Sequence, residues 1–268
     1  MGGDSQRVET DAIEVVNFLT QSPVRVAILK HLSDADRLRK SELKERFDVS
    51  QVTLTRNLDA LEERAWIRNH VREYELLPSG KLVVDAVETM LETVEFVESI
   101  QPFLRWFPED ELEFDVTALA DATVVVAEST NPYAPVNRHI EAMKTVDRFR
   151  CLLPVVGLPA MTVARESILE RGTHQEIIYS PDVQSTLRTD PQYRELLEDM
   201  HGCENCRMRV AESEIRYYLG LCEERIQIGV QDDDGVPQAL VETDREAIRE
   251  WATRTYRSYR KHSEPLAL

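Results

Sequence analysis

The amino-acid sequence predicts a chain of mixed class, α+β to α/β. An N-terminal winged helix-turn-helix (1–77), a connecting helix (78–108) and a C-terminal mixed α/β domain (109–268) follow one another. Three observations carry this. Leucines recur at helical spacing from Ser50 to Ile67 with small polar residues opposite them, an alternating hairpin pattern follows at once, and beyond Glu109 strand-like apolar runs alternate with helical ones.

The segment "SPVRVAILKHL" reads as the first helix of the motif, with Ser22 as N-cap, Pro23 at the first position, and Val24, Ile28, Leu29 and Leu32 facing inward. Ser41 caps a second, "SELKERF", with Leu43 and Phe47 inward. Ser50 caps the third, where Leu54, Leu58 and Leu61 form the buried stripe. Gln51, Val52, Thr53, Thr55 and Arg56 lie off that stripe, and their polar groups and methyls suit base edges in a major groove. The acidic residues Asp59, Glu62 and Glu63 come only in later turns, so the N-terminal half is the end suited to approach phosphate. "WIRNH" and "EYELL" form the hairpin, with Val71 and Arg72 at its tip; Arg68, His70 and Arg72 are its candidate backbone contacts. A plain three-helix bundle with an edge hairpin is the bland alternative. Winged helices of this type usually place Gly, in the left-handed conformation, where this chain has Ala65; the departure costs about 1 kcal/mol or asks for another cap.

Composition bounds the rest. The 268 residues suit about two domains, and 42% hydrophobic content supplies real cores. No apolar run approaches membrane-spanning length, and the first residues have neither the basic flank nor the apolar stretch of a signal peptide, so a cytoplasmic chain with no membrane partner is expected. The net charge of −17 is unevenly spread: residues 22–77 hold 11 Lys or Arg against 10 Asp or Glu, which leaves −18 for the remainder. An acidic chain with six lysines among its 32 basic residues resembles proteins of salt-loving archaea. High salt weakens phosphate contacts, so base contacts and dimerisation would then matter more.

In the connecting segment Val83, Val87, Met90, Val94 and Val97 fall at alternating steps of four and three. That seam fits either a homodimer helix setting two winged helices on a palindromic operator or a helix packed on its own domain. Pro102 and Pro108 are read as its end.

The C-terminal strands are "ATVVVAES", "FRCLLPVVG", "HQEIIYS", "CRMRVAE", "YYLGLC", "RIQIGV" and "QALVET", and "QDDDGVP" turns on Gly235. Helices lie between them, the last carrying Trp251, Thr255, Ser258 and Tyr259 on its docking face. Tyr217, Tyr218, Trp251, Tyr256 and Tyr259 read as packing aromatics, and no cofactor is expected.

The winged helix, the connecting helix, "LLPVVGL", "RESILERGTHQEIIYS" and the run from "YYLGLC" to "TYRSYR" resemble archaeal winged-helix transcription regulators that carry the methanogenesis-regulator domain. The resemblance implies a homodimer on double-stranded DNA, with a sensor domain similar to the phospholipase-D-like domains of sugar-responsive regulators. Phospholipase-D chemistry needs His two residues before Lys. His31, His70, His139, His174, His201 and His262 are followed at that spacing by Ser33, Arg72, Glu141, Glu176, Cys203 and Glu264, so the pair is missing and an enzyme is not expected. The competing function is a small-molecule-binding or enzymatic domain whose winged helix contacts protein. A small-molecule effector is placed near "NPYAPVNRH", taken as a Pro-bounded loop, with Tyr133, Asn137, Arg138 and Arg150 as contacts for an anionic or hydroxylated ligand. "HGCENCRMR" leaves three readings open: ordinary loop cysteines, a Cys203–Cys206 redox pair, or a metal held by His201, Cys203, Cys206 and Cys222.

Overall fold

The structure is a computed structural model that describes residues 2–267. Met1 and Leu268, the outer bounds of the division proposed above, lie outside the described residues. Two compact units emerge, 1–95 and 96–268, so the connecting segment is shared between them rather than standing as a third piece.

In the first unit α1 (Gly2–Thr20) precedes the helix-turn-helix, an element absent from the sequence reading. It is followed by α2 (Pro23–Ser33), β1 (Leu38–Arg39), α3 (Lys40–Arg46), α4 (Gln51–Glu63), β2 (Ile67–His70), β3 (Glu73–Leu76) and α5 (Pro78–Leu104). Leu19, Ile28, Leu29, Leu32, Leu43, Leu54, Leu58 and Leu61 close one core with Trp66 and Ile67, as the helical spacing requires. The hairpin gains a third strand, in the order β1-β3-β2. Two caps differ from expectation. Ser22 occupies the N-cap of α2, but its hydroxyl donates to Asn57 Oδ1 at 3.4 Å. Helix α3 starts at Lys40, so Ser41 lies inside it; Arg39 is the cap, and its N–H donates to Glu42 Oε2 at 2.6 Å.

Helix α4 ends on Ala65 at φ 53°. The Ala65 N–H reaches Glu62 O at 2.8 Å and the Trp66 N–H reaches Leu61 O at 3.2 Å, the paired bonds of a Schellman end. An L side chain in this conformation costs roughly 1–2 kcal/mol, while glycine's extra unfolded freedom returns roughly 0.4–1 kcal/mol. Ala65→Gly should therefore raise stability by about 0.5–1 kcal/mol, measured as a higher urea midpoint. An unchanged or lower midpoint would refute the strain.

Pro102 does not end α5. It sits in the last turn, and the helix runs on to Leu104. Along the seam Val83 and Met90 are half-buried and Val87 is buried, whereas Val94 and Val97 are 49% and 52% exposed, so the seam is covered at its start and open at its end.

In the second unit β4 (Thr123–Val126), β5 (Arg148–Leu153), β6 (His174–Tyr179), β7 (Cys206–Ala211), β8 (Tyr218–Cys222), β9 (Arg225–Gln231), β10 (Pro237–Thr243) and β11 (Ser263–Pro265) form one eight-stranded sheet in the order β11-β7-β6-β5-β8-β9-β10-β4. The pairs β5–β6 and β6–β7 are parallel, and the remaining pairs are antiparallel. Between them come α6 (Ala134–Met143), α7 (Leu158–Leu169), α8 (Pro181–Thr189), α9 (Pro191–Met200) and α10 (Glu246–Lys261). Alternation along each strand sends Leu152, Ile178, Leu219 and Ile228 to one face, with Trp251, Tyr256, Phe103 and Phe107, and sends Phe149, Cys151, Ile177 and Tyr179 to the other, with α6 to α9. The buried stripe of α10 is Ile248, Trp251, Ala252 and Tyr256; Ser258, expected on the docking face, is exposed.

Candidate functional site

The surface of α4 is built by its cap and its stripe. Ser50 Oγ accepts the Thr53 N–H at 3.1 Å and lies 2.8 Å from Thr53 Oγ1, which fixes the first turn. The Thr55 hydroxyl donates back to Gln51 O at 2.7 Å. Both threonines therefore turn their hydroxyls to the helix and leave methyls outward, while Gln51, Val52 and Arg56 are exposed. Beneath them Asn57 is buried in the leucine stripe, donating to Thr53 O at 3.1 Å and accepting from Arg25 Nε at 3.0 Å. Sequence spacing put a polar residue in an apolar row there; that was the signal for a structural anchor. Burial, and then the charges of Arg56 and Arg64, lower the Arg25 pKa, so three guanidiniums share one side of this unit. Arg25 and Arg64 both lie 4.0 Å over the Phe18 ring.

The hairpin is less free than its composition suggests. Glu75 engages His70 Nε2 at 2.7 Å, Arg68 Nη1 at 3.3 Å and Arg37 Nη2 at 3.3 Å, and the His70 contact foremost holds the Glu75 carboxyl below its usual range. Exposed pairs of this kind exchange partners at little cost, so Arg68 and His70 remain usable while Arg72 makes no ion pair among the described residues. The tip, Val71, is exposed and holds φ at 57°.

The second unit contains a cavity of about 310 Å³ between α6, α7 and the sheet. Its wall is mostly carbon: Pro135, Met143, Phe149, Ile177 and Leu240 contribute, with Tyr133 among the lining residues. Tyr218 crosses its floor, because Gly220 and Gly229 have no side chain; a Cβ on Gly220 would lie 2.1 Å from the phenol oxygen. The Tyr218 hydroxyl donates to Gln227 Oε1 at 3.2 Å, and Gln227 Nε2 donates to Glu242 Oε2 at 2.8 Å. Glu242 in turn pairs with Arg138 and, at 3.3 Å, with Arg225. Burial works against the Glu242 charge, but Gln227 and the two arginines outweigh it and hold the carboxyl below its ordinary pKa. His139 packs between Tyr218 and Phe149, at ring distances of 4.6 and 5.7 Å, and burial lowers its pKa to about 4.

With this geometry in view, two family models match the chain. Residues 132–262 match the middle domain of the methanogenesis regulatory protein FilR1, and residues 13–99 match the HVO_A0261 N-terminal domain. Together the two matches support an archaeal-type transcriptional regulator. Among solved structures it is similar to the archaeal chromatin protein TrmBL2, at 13% identity and TM-score 0.39, over 88% of this chain and 91% of that one. It is also similar to NucT from Helicobacter pylori, at 12% identity and TM-score 0.43 over 54% of this chain and 98% of that one. Nuc from Salmonella typhimurium, a phospholipase D family member, gives 11% identity and TM-score 0.42 over 54% and 97%. No match is found among curated proteins.

Within this FilR1-type domain several expected groupings come apart. "NPYAPVNRH" is not a loop throughout: α6 begins at Ala134 with Pro135 in its first turn, and Asn137 and Arg138 lie on the helix. Arg138 is engaged by Glu242, and Asn137 is exposed. Arg150 alternates with the cavity residues Phe149 and Cys151, so it points to the other face of the sheet, where its guanidinium lies 5.5 Å from the Tyr256 ring centre. Of the four proposed effector contacts, Tyr133 alone lines the cavity.

The metal grouping fails for a similar reason. Cys206, Gln175, Phe149 and Cys222 stand in one row across β7, β6, β5 and β8. Three strand spacings separate Cys206 from Cys222, on the order of 14 Å, far beyond a shared ion. Among the described residues no cluster of His, Cys, Asp or Glu has metal-site geometry. His201 is exposed at the end of α9, and Cys203 Sγ turns to Asp199 O at 3.7 Å. Burial pushes the Cys206 thiol up to about 12, away from the thiolate that redox exchange requires.

Proposed function

We propose that the chain binds specific DNA sites as a homodimer and that a small molecule in the C-terminal cavity shifts that binding. The observation that carries the reading is the α4 surface: Gln51, Val52 and Arg56 exposed on a helix whose N-terminus is capped by Ser50 and whose stripe is buried. Such a helix end presents donors and methyls to a major groove. The Arg25, Arg56 and Arg64 cluster supplies local positive charge in a chain of net charge −17, as a nucleic-acid footprint requires. The open end of the α5 seam supports the dimer, because Val94 and Val97 lie at helical spacing and remain exposed. Val94→Glu with Val97→Glu should convert a dimer to a monomer in sedimentation; a monomer already in the unmodified chain would refute the seam.

The second unit is proposed to bind rather than catalyse, since no histidine is followed two residues later by lysine. A cytoplasmic setting and adaptation to high salt fit the acidic, lysine-poor composition. No single helix among the described residues is long and apolar enough to cross a membrane.

The deciding experiment is genome-wide chromatin immunoprecipitation of the chain beside a variant with Gln51, Thr53 and Arg56 changed to Ala. Sharp palindromic peaks that vanish in the variant are expected. On an isolated site Arg56→Ala alone should lose roughly 1–3 kcal/mol. No peaks under any growth condition would shift the reading to a winged helix that contacts protein.

A further inference from the structure

The cavity described above holds two buried polar atoms that nothing in the structure satisfies. Gln175 is 2% exposed, and its Nε2 donates to Thr173 Oγ1 at 3.2 Å while its Oε1 has no partner. His139 Nδ1 is likewise buried and unpartnered. Both residues line the same cavity. They also flank one ring: Gln175 is the cross-strand neighbour of Phe149, and the His139 imidazole packs on Phe149 at 5.7 Å. Burial keeps the His139 ring neutral, and in the tautomer with the proton on Nε2 the buried Nδ1 presents a bare lone pair. A buried acceptor without a donor is costly, and an occupant that brings an N–H or O–H removes the cost.

The rest of the wall limits what that occupant is. No Arg, Lys, Asp or Glu lines the cavity, so neither an anion nor a cation finds a counter-charge, and an anion would meet two acceptors. A sugar would strip most of its hydroxyls against carbon. A volume of about 310 Å³ accommodates about ten groups of water size. Phe149, His139 and Tyr218 make one side aromatic, which suits a flat ring packed at an offset or edge-on.

From these contacts we infer that the cavity is a binding site for a small neutral aromatic molecule carrying one or two hydrogen-bond donors, held by Gln175 Oε1 and His139 Nδ1 against the Phe149 ring. This deepens the reading of the second unit as an effector domain and rests on it for its regulatory meaning. It replaces the anionic or hydroxylated metabolite suggested by the arginines, since Arg138 is paired and Arg150 faces away.

The test is calorimetric titration of the full chain, without DNA, using indole and indene. The two rings match in shape, and indene lacks the N–H. Indole should bind about ten-fold tighter than indene, the worth of one hydrogen bond to a buried acceptor. Gln175→Met or His139→Phe should erase most of that preference while leaving indene affinity within about two-fold. Ala160→Phe, at the partly exposed rim, should block both ligands and serves if the interior variants do not fold. No indole binding, equal affinity for the two ligands, or unchanged binding by Ala160→Phe would each overturn the inference. The outcome is separable from the DNA reading: indole bound in the expected way with no change in operator affinity would keep the site and refute its role as effector, whereas failure of indole to bind leaves the immunoprecipitation result untouched.

Discussion

Glu242→Ala is expected to destabilise the second unit by about 3 kcal/mol, near the low end of the roughly 3–5 kcal/mol seen when one partner of a buried pair is removed. The carboxylate is 6% exposed and is the common acceptor for Arg138, Arg225 and Gln227. Its loss leaves two guanidiniums facing each other and frees Gln227, the residue that holds the Tyr218 hydroxyl over the cavity floor. The two arginine side chains are 36% and 41% exposed, so water covers part of the loss and the figure stays low. Glu242→Gln, which keeps the shape and one hydrogen-bonding oxygen, should lose less. The sign with pH follows from the lowered pKa: stabilisation is full above the unfolded value near 4.5 and is lost as pH falls through the lower folded value. Urea unfolding of the three proteins at neutral pH measures the effect; a loss below 1 kcal/mol for Glu242→Ala would show that the arginines find other partners.

That carboxylate also marks where sequence reasoning stopped. Local signals were legible because they are repeated within a few turns of chain: the Leu54, Leu58 and Leu61 stripe, the Ser50 cap, the alternating wing strands and each of the seven strand runs in the second unit. Ala65 was legible through the resemblance to other winged helices, which end this helix on a left-handed residue, and the backbone adopts φ 53° there. What could not be read was which residues meet. Arg138 and Glu242 stand 104 residues apart, and their pairing depends on β10 lying beside β9 in an order the sequence does not encode locally. The same holds for Cys222. It was grouped with Cys203 and Cys206 by proximity along the chain, but two strands lie between β7 and β8. Arg150 was misplaced by a smaller step: strand alternation beside Phe149 and Cys151 shows which face it takes, once one knows which face holds the cavity. Prolines misled twice, at Pro102 and Pro135, because the last and first turns of a helix tolerate them better than its middle.

His139 supplies the remaining large effect, and its sign is opposite to that of a surface histidine paired with an acid. In the unfolded chain the imidazole ionises near 6.5, whereas burial between Phe149 and Tyr218 lowers the folded value to about 4. Between those values the unfolded chain binds a proton that the folded chain refuses, so stability falls as pH drops. Each pH unit within the window costs about 1.4 kcal/mol once the unfolded group is charged. The loss is about 2 kcal/mol by pH 5 and approaches about 3 kcal/mol near pH 4. Carboxylates such as Glu242 contribute only toward the lower end, which leaves the range from pH 6.5 to 5 as the part attributable to this ring. Urea midpoints at pH 7.5, 6 and 5 should therefore descend for the unmodified chain, and His139→Gln, which cannot take up the proton, should flatten that descent. An equal slope in the variant would mean that water in the cavity hydrates the imidazolium, and it would place Nδ1 in contact with solvent rather than in the dry wall that the ligand inference requires.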